Sequence, residues 1–293
     1  MHDFLGLLLM GASAATNSIL FIGNSFTFAG GSTAQTYLAS SVTDLNHEPI
    51  GGIPALFKSF ATQLNLKYDV YLETHPGVGL DWHLAYKRDV IEQKTWNNVV
   101  MQGYSTLDEN RPGNPAVLVD SARQMAALLR SKNPEIKLRL MATWPRADQV
   151  YDAKGAWFGK SIETMASDVR GGYNMAAAAI GNVNTAILPV GESWLRAIHA
   201  GLAVANPYRR NVGGRMNLWS SDHYHASVYG SYLESLVIFG GVTGLDPRLL
   251  GRNERSGIDF GLSHKQIADL EQVAFEQLSA EGLVTAQPAV KPP

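Results

Sequence analysis

The hydrophobic positions along this chain fall into two patterns that alternate. Short runs of consecutive apolar or β-branched residues are typical of strands buried on both faces, and longer segments with one apolar face are typical of amphipathic helices. The short runs cover residues 19–22, 68–72, 98–101, 138–142 and 186–190, and the longer segments cover residues 53–64, 80–93, 116–130 and 161–180. This alternation predicts crossover units around a parallel sheet, and therefore an α/β fold.

The last helix of the chain has a clear start signal. Ser263 and Gln266 have the spacing of a capping box, and Leu262 and Ile267 have the spacing of a hydrophobic staple. We therefore predict that a helix begins at this point and ends near Leu278.

The two ends of the chain differ from its middle. Residues 4–10 form a short apolar run, and the Ala-Ser-Ala that follows has the small-x-small form of a signal-peptidase site, although His2 and Asp3 stand where a signal peptide has basic residues. We predict that residues 1–17 are a signal peptide or an N-terminal extension and that the protein is periplasmic or secreted. An uncleaved segment packed on the domain would instead leave it cytoplasmic. Residues 285–293 are expected to be a disordered tail.

The composition limits the classes of partner. The net charge of -2 gives no electrostatic reason to expect nucleic acid or an anionic membrane, and no apolar run reaches the ~18 to 20 residues of a membrane span. The absence of cysteine excludes disulfides, zinc–thiolate sites and a cysteine nucleophile. No linker or repeat interrupts residues 18–284, so we predict a single domain that acts on a small or neutral substrate.

The first predicted strand ends in a candidate nucleophile. The stretch ILFIGNSFT breaks from an apolar run into Gly23, Asn24 and Ser25. Ligands of open parallel sheets bind outside the carboxyl ends of the strands, and a serine at this point can act as a nucleophile. The alternative is that Ser25 only caps the following turn.

A serine nucleophile needs a base, and the segment WSSDHYHAS contains one. Asp222 and His225 lie three residues apart, just before an apolar helical pattern over residues 228–239. One short turn can therefore carry both members of a hydrogen-bonded acid–base pair. A different interpretation takes Asp222, His223 and His225 as metal ligands, joined by Glu192 or His199. Because no recognisable metal-ligand spacing accompanies them, we expect no metal.

These two motifs together resemble the SGNH (GDSL-type) hydrolase superfamily, over nearly the whole chain. The other common serine-hydrolase template, the α/β-hydrolase fold, uses G-x-S-x-G in mid-chain, and this chain has Thr27 where that motif needs glycine. The resemblance implies a three-layer α/β/α sandwich with a mostly parallel, flavodoxin-like sheet. It also implies that Ser25 is the nucleophile, His225 the general base and Asp222 the acid that orients the base.

The resemblance further implies an oxyanion hole with three donors. Ser25 N–H is the first, and a glycine in THPGVGLDWH is the second, for which we choose Gly77 and, after it, Gly79. Most members of the superfamily supply the third donor from an asparagine in a G-x-N-D segment. This chain reads VVMQGYST there and resembles a divergent branch with glutamine, so we predict Gln102 as the side-chain donor, with Tyr104 as the alternative.

Five residues are candidates for contact with the substrate: Asn24, Gly79, Tyr104, Trp144 and Arg146. The last two lie in ATWPRAD after the fourth strand, where the same branch tends to carry a T-W segment. Trp144 and Arg146 are expected to line the substrate cleft. The alternative for Trp144 is packing against the next helix.

The expected function is that of a serine-dependent carboxylic ester hydrolase without a cofactor. The resemblance implies acetyl or short acyl esters of small molecules or carbohydrate as substrates. Two alternatives are a non-catalytic carbohydrate-binding protein on the same fold, and a metal-dependent hydrolase that uses the Asp222, His223 and His225 cluster.

Overall fold

The computed structural model describes residues 16–181, 183–209 and 213–285. The predicted leader in residues 1–17 and the predicted tail in residues 285–293 lie almost wholly outside these ranges. Both therefore stay predictions, and so does the assignment of residues 18–284 to one domain.

The described residues contain a six-stranded sheet. Its strands are β1 (Asn17–Gly23), β2 (Thr43–Asp44), β3 (Tyr68–Thr74), β4 (Asn98–Met101), β5 (Lys137–Ala142) and β6 (Thr185–Pro189). Their order is β2-β3-β1-β4-β5-β6, and every neighbouring pair is parallel. The predicted parallel sheet is confirmed. The sequence pattern missed β2, because a strand of two residues is too short to show an apolar run.

Ten α-helices of the described residues flank this sheet. They are α1 (Gly52–Gln63), α2 (Leu80–Tyr86), α3 (Arg88–Glu92), α4 (Ala116–Lys132), α5 (Ala147–Tyr151), α6 (Ile162–Ile180), α7 (Val190–His199), α8 (Val228–Thr243), α9 (Arg255–Asp259) and α10 (His264–Ala280). The helix predicted over residues 80–93 is two helices, because the backbone of Lys87 leaves the helical region at φ −127° and ψ 14°. The sequence pattern missed α5, α7 and α9.

The helices form layers on the two faces of the sheet. On one face α8 packs against α1, α7 and α10, and on the other α4 packs against α2 and α6. Phe21 of β1 meets Phe57 of α1, which in turn meets Phe239 of α8, with ring centroids 5.8 and 6.3 Å apart. Helix α8 is buried on nearly all sides, which is typical of a helix at the centre of a domain. The predicted α/β/α sandwich is confirmed.

Helix caps hold the elements near the carboxyl edge of the sheet. The predicted capping box of α10 is present, with Ser263 and Gln266 each bonded to the backbone of the other. Ser227 caps α8 by accepting hydrogen bonds from the N–H groups of Tyr229 and Gly230. This cap fixes the start of α8 directly after the segment that carries Asp222 and His225.

The register of the central strands brings three loops together. Gly23 pairs with Thr74, and Ile22 pairs with Met101, so β1, β3 and β4 end at the same edge. Strand β1 has β3 on one side and β4 on the other, so the strand order reverses its direction at β1. This is the switch point at which open parallel sheets bind ligands.

A buried acidic cluster on the C-terminal helices makes the stability of the protein depend on pH. Glu271 of α10 is buried, and this burial, reinforced by the charges of Glu254 and Asp246, raises its pKa from an ordinary 4.5 to about 8. Between these two values the folded protein keeps a proton that the unfolded chain releases. The free energy of unfolding therefore falls as the pH rises from about 4.5 to about 8, and the contribution is fully present only below the lower value.

Substitution of Glu271 by glutamine should remove this part of the pH dependence. Because each pKa unit corresponds to 1.36 kcal/mol, the variant is expected to be more stable than the wild type at pH 9 by ~5 kcal/mol and similar to it at pH 4. Urea unfolding at the two pH values measures the difference. Parallel pH profiles for the two proteins would contradict the assignment.

Candidate active site

The segment after β1, residues 23–30, forms a tight turn that we call the serine turn. The N–H of Asn24 donates to Gln102 Oε1 at 3.0 Å, and the N–H of Gly30 donates to the Ser25 carbonyl at 2.7 Å. A methyl group on Gly23 would lie 2.1 Å from Thr27 Oγ1, so only glycine fits at this point. The turn leaves Ser25 7% exposed, at the edge of the sheet.

The structure brings Ser25, His225 and Asp222 together. Ser25 Oγ lies 2.9 Å from His225 Nε2, and His225 Nδ1 lies 2.6 Å from Asp222 Oδ2. A carboxylate oxygen only accepts, so the Nδ1 of His225 carries the hydrogen and its Nε2 is left to accept the hydrogen of Ser25. These three side chains have the geometry of a nucleophile, a general base and an orienting acid.

Asp222 is held in its ionised form by donors. The hydroxyl of Ser220 and the N–H groups of Tyr224 and His225 all donate to its Oδ1, at 2.6, 2.9 and 2.9 Å. Partial burial alone would raise the pKa of Asp222, but these bonds, together with the one from the His225 ring, hold that pKa well below its usual range. The acid thus stays negative and can stabilise a positively charged His225.

The segment that carries Asp222 and His225 is closed on itself, and we call residues 219–226 the acid–base loop. An antiparallel bridge joins Trp219 to Ala226, and the N–H of Ser220 donates to the His225 carbonyl at 2.8 Å. The indole N–H of Trp219 donates to the Pro145 carbonyl at 3.0 Å, which anchors the loop after β5.

A stack of aromatic rings supports the site from below. Trp144 lies between Phe26 and Trp194, with ring centroids 4.1 and 4.7 Å apart, and Phe26 lies 6.0 Å from the His225 ring. Trp144 is completely buried, and its N–H donates to the Tyr224 carbonyl. The prediction that Trp144 lines the cleft is therefore wrong. The ring turns into the core because Phe26 and Trp194 offer it two flat apolar partners.

The backbone N–H groups of Ser25 and Gly77 are two of the predicted oxyanion donors. Within the described residues, neither the N–H of Ser25 nor that of Gly77 has a protein acceptor. Gly77 has a φ of +71° and is exposed beside the cavity described below. Gly79 is buried under the Tyr104 ring, and its N–H bonds the Tyr104 hydroxyl. Of the two predicted glycines, Gly77 is therefore the one whose free N–H lies beside the cavity, and Gly79 does not line that cavity.

Gln102 does not direct a donor towards Ser25. Its side chain is completely buried, its Oε1 accepts from the Asn24 N–H and the Thr27 hydroxyl, and its Nε2 donates to the Gly103 carbonyl. The prediction that Gln102 is the side-chain oxyanion donor is corrected: this amide connects the serine turn to the end of β4.

Tyr104 keeps its own hydroxyl hydrogen, since burial, with a smaller effect of the Asp81 charge, raises the pKa of the phenol. Tyr104 remains the candidate donor.

A cavity of about 180 Å³ lies beside the serine turn, lined by Asn24, Gly77, Tyr104, Arg146, Gln149 and Tyr224 among others. Arg146 forms two bonds with Asp148, at 3.0 and 2.6 Å, and its guanidinium stacks 3.7 Å from the centre of the Tyr224 ring. The predicted substrate contacts Asn24, Tyr104 and Arg146 thus all border this cavity. A larger, open groove of about 610 Å³ is lined by α2 and α4 and contains none of the predicted site residues.

Several solved structures resemble this one. No protein-family model matches the sequence, and no curated protein matches it either. A candidate SGNH hydrolase from Slackia heliotrinireducens is 20% identical, with a TM-score of 0.51 over 77% of this chain and 98% of that one. A DUF4886 family protein from Bacteroides uniformis is 15% identical, with a TM-score of 0.63 over 92% and 98%. TesA is 15% identical, with a TM-score of 0.50 over 78% and 98%. The chain has the fold of the SGNH hydrolases.

Each of the two sequence motifs lies next to a secondary-structure element of this fold. Ser25 follows the central strand β1, and Asp222 and His225 lie directly before α8. Across the described ranges, no helix has the length and apolarity that a membrane crossing requires.

The residues of the metal interpretation point to other partners. Glu192 pairs with Arg170 at 2.9 Å, His199 lies 3.1 Å from Glu163, and the His223 ring packs 4.0 Å from that of Tyr208. In residues 16–181, 183–209 and 213–285, no group of three His, Asp or Glu side chains is arranged to hold a metal ion. The geometry of His225, with one ring nitrogen on Asp222 and the other on Ser25, favours the serine interpretation.

Sequence reasoning missed three residues of this candidate site. Ser220 and Tyr224 lie inside the quoted WSSDHYHAS segment, and Phe26 directly follows Ser25. Their contacts with Asp222, Arg146 and His225 depend on how the acid–base loop folds. The signal available in the sequence was only their nearness to the two motifs.

Proposed function

We propose that this protein is a serine-dependent carboxylic ester hydrolase. The observation that carries the proposal is the continuous contact from Ser25 through His225 to Asp222, with distances of 2.9 and 2.6 Å. The SGNH fold is a second support, because Ser25 lies at the carboxyl edge of the sheet. In this reaction Ser25 is the nucleophile, His225 the general base and Asp222 the orienting acid.

Acylation begins when Ser25 Oγ attacks the carbonyl carbon of the ester. His225 Nε2 takes the hydroxyl proton, and Asp222 stabilises the resulting imidazolium. The carbonyl oxygen becomes an oxyanion, to which the Ser25 N–H, the Gly77 N–H and the Tyr104 hydroxyl donate. The bond to the alcohol oxygen then breaks, and His225 returns the proton to the leaving alcohol.

Deacylation repeats these steps with water. His225 Nε2 takes a proton from the water that attacks the acyl group on Ser25, and the same donors hold the second oxyanion. The Ser25 oxygen leaves and receives its proton from His225, so the enzyme is restored without a cofactor. Preorganised donors of this kind each contribute ~2.7 to 4 kcal/mol in a well-studied serine protease.

The cavity favours a short acyl group. Its volume of about 180 Å³ is smaller than that of sites for drug-sized ligands, which hold roughly 300 to 1,000 Å³. Tyr104 and Tyr224 form its walls. We therefore propose acetyl or other short acyl esters as substrates, and expect p-nitrophenyl acetate to react faster than the octanoate.

An exposed group of aromatic rings supports carbohydrate as the alcohol component. The His75 ring stacks on Trp82 with centroids 4.4 Å apart, and Trp82 contacts Tyr86, which is 71% exposed. His75 lies two residues before Gly77, so the stack borders the site. Flat aromatic faces at a surface can bind the apolar C–H faces of sugar rings.

The proposal is tested with a fluorophosphonate, which reacts covalently with activated serines. Mass spectrometry of the digested protein should find the adduct on the peptide that contains Ser25. Hydrolysis of p-nitrophenyl esters from acetate to octanoate should accompany this reaction and should not change with a chelator. Loss of activity with the chelator would favour the metal interpretation. No adduct and no hydrolysis, together with binding of carbohydrate, would favour the non-catalytic alternative.

Substitution of Trp82 by alanine tests the carbohydrate component. We expect kcat/KM for an acetylated polysaccharide to fall ~5- to 140-fold, as for the loss of a stacking contact of about 1 to 3 kcal/mol. The rate with p-nitrophenyl acetate should stay unchanged, because that substrate has no sugar. The control is Phe158→Ala, which removes an exposed ring elsewhere and should change the rate with neither substrate. Trp96 is not a suitable control because it is buried. Equal losses on both substrates would contradict a role in sugar binding.

A further inference from the structure

A second histidine–carboxylate pair lies directly behind the serine turn. His83 of α2 and Glu73 of β3 are both completely buried, and His83 Nδ1 contacts Glu73 Oε2. The other ring nitrogen, His83 Nε2, lies 3.1 Å from the Gly23 carbonyl oxygen. The reaction proposed above uses neither side chain.

The partners of this pair determine where its protons lie. A carbonyl oxygen only accepts, so His83 Nε2 carries a hydrogen and donates it to Gly23. The Nδ1 atom faces a carboxylate oxygen, so one further proton lies between the two residues, and the pair is neutral as a unit. Asn46 Nδ2 donates to Glu73 Oε1 at 3.3 Å, and Lys87 Nζ donates to Asn46 Oδ1 at 2.6 Å. A continuous series of contacts therefore holds the histidine ring in one orientation.

The peptide group between Gly23 and Asn24 is held at both ends. Its carbonyl accepts from the His75 N–H at 3.1 Å as well as from His83, and its N–H donates to Gln102 at 3.0 Å. The next peptide group carries the Ser25 N–H. A rotation of the first peptide group would redirect the second, and with it the Ser25 side chain.

We propose that His83 is a positioning residue for the serine turn: its Nε2–H holds the Gly23 carbonyl and thereby aims the Ser25 N–H and hydroxyl, while Glu73 orients the ring of His83. The kinetic consequence rests on the proposed function, and the structural consequence does not. Packing of the core alone does not explain why a histidine and a glutamate are buried here. Two such groups are costly to remove from water, and apolar residues of similar size would stabilise the core as well or better.

The test compares two double variants that differ only in the donor. Glu73→Gln with His83→Gln keeps an N–H group at the position of Nε2, and Glu73→Gln with His83→Leu removes it. Neither leaves an unpaired carboxylate in the core. Each variant is measured for thermal unfolding, for kcat and KM with p-nitrophenyl acetate, for the rate of fluorophosphonate labelling of Ser25, and by crystallography.

We expect the glutamine variant to react nearly as fast as the wild type. The leucine variant should lose ~10- to 100-fold in kcat and in labelling rate, with KM unchanged, because a small displacement of a reacting group costs this much. Its crystal structure should show the peptide group between Gly23 and Asn24 rotated. Should the leucine variant not fold, His83→Asn in the same background makes the comparison, since its shorter amide does not reach Gly23.

Equal rates in the two double variants, with the Gly23 carbonyl in the same position in both, would overturn the proposal. If the proposed function is wrong, the wild type itself neither hydrolyses the ester nor reacts with the fluorophosphonate. In that case the crystal structures decide alone: a displaced carbonyl in the leucine variant supports the role of His83, and an undisplaced one overturns it.

Discussion

Substitution of Ser25 by alanine should lower kcat for p-nitrophenyl acetate by ~10⁴- to 10⁶-fold, as the loss of a serine nucleophile does in a well-studied protease. The loss is this large because no other hydroxyl lies within reach of His225 Nε2 in the described residues. KM should change little, since the cavity is lined by other side chains. Steady-state hydrolysis measures the effect, with burst kinetics as a check on the acyl-enzyme.

The matched control for this experiment is Ser221→Ala. Ser221 is an exposed serine in the acid–base loop, beside Asp222, and should have wild-type activity when alanine replaces it. Both variants should unfold at the wild-type temperature. Wild-type rates in the Ser25 variant would mean that the serine turn has only a structural role.

Substitution of Asp222 by asparagine should lower kcat by ~10⁴-fold, which is the effect of the same change in a serine protease. The amide of asparagine would donate to His225 Nδ1, so that the hydrogen of the ring would move to Nε2. That nitrogen could then no longer accept the proton of Ser25. The imidazolium formed in the reaction would also lose its negative partner.

The pH dependence of kcat/KM and a matched control variant accompany the experiment with Asp222→Asn. In the wild type, the low pKa of Asp222 keeps the acid ionised throughout the working range, so protonation of Asp222 does not contribute to the acid limb of kcat/KM. Asp89→Asn is the matched control, because Asp89 is an exposed acid on α3. A loss of less than tenfold in the Asp222 variant would count against the orienting role.

The periodic part of the fold could be predicted from the sequence because it depends on local pattern. The strand predicted over residues 98–101 has the bounds of β4, and the capping box at Ser263 begins α10, since both signals lie within a few residues. The break at Lys87 and the two-residue strand β2 were not predictable. Neither changes the apolar pattern, and both involve partners far along the chain: β2 pairs with β3, and Lys87 bonds Asn46.

The position of the candidate site could likewise be predicted, but not the direction of each side chain in it. Ser25, Asp222 and His225 lie in recognisable motifs. Ser25 follows β1, and the loop with Asp222 and His225 is anchored after β5 by the bond from Trp219 to Pro145. Gln102 and Trp144 also end up beside the site, yet both point inwards. Gln102 meets donors from the serine turn 75 and 78 residues away, and Trp144 meets Phe26 and Trp194. Such choices depend on long-range packing, which a single sequence does not display.

The closure of the acid–base loop has a consequence for how this protein can diverge. Asp222 and His225 lie three residues apart in one bridged segment, and the bonds that align them with each other come from residues 220–225. The only long separation is the one between Ser25 and His225, which are 200 residues apart. Substitutions that shift α8 or its neighbours would move the acid and the base as one body. Sequence drift in the surrounding helices should therefore lengthen the contact with Ser25 before it disturbs the pairing of His225 with Asp222, and a relative that has lost activity is expected to have lost that contact first.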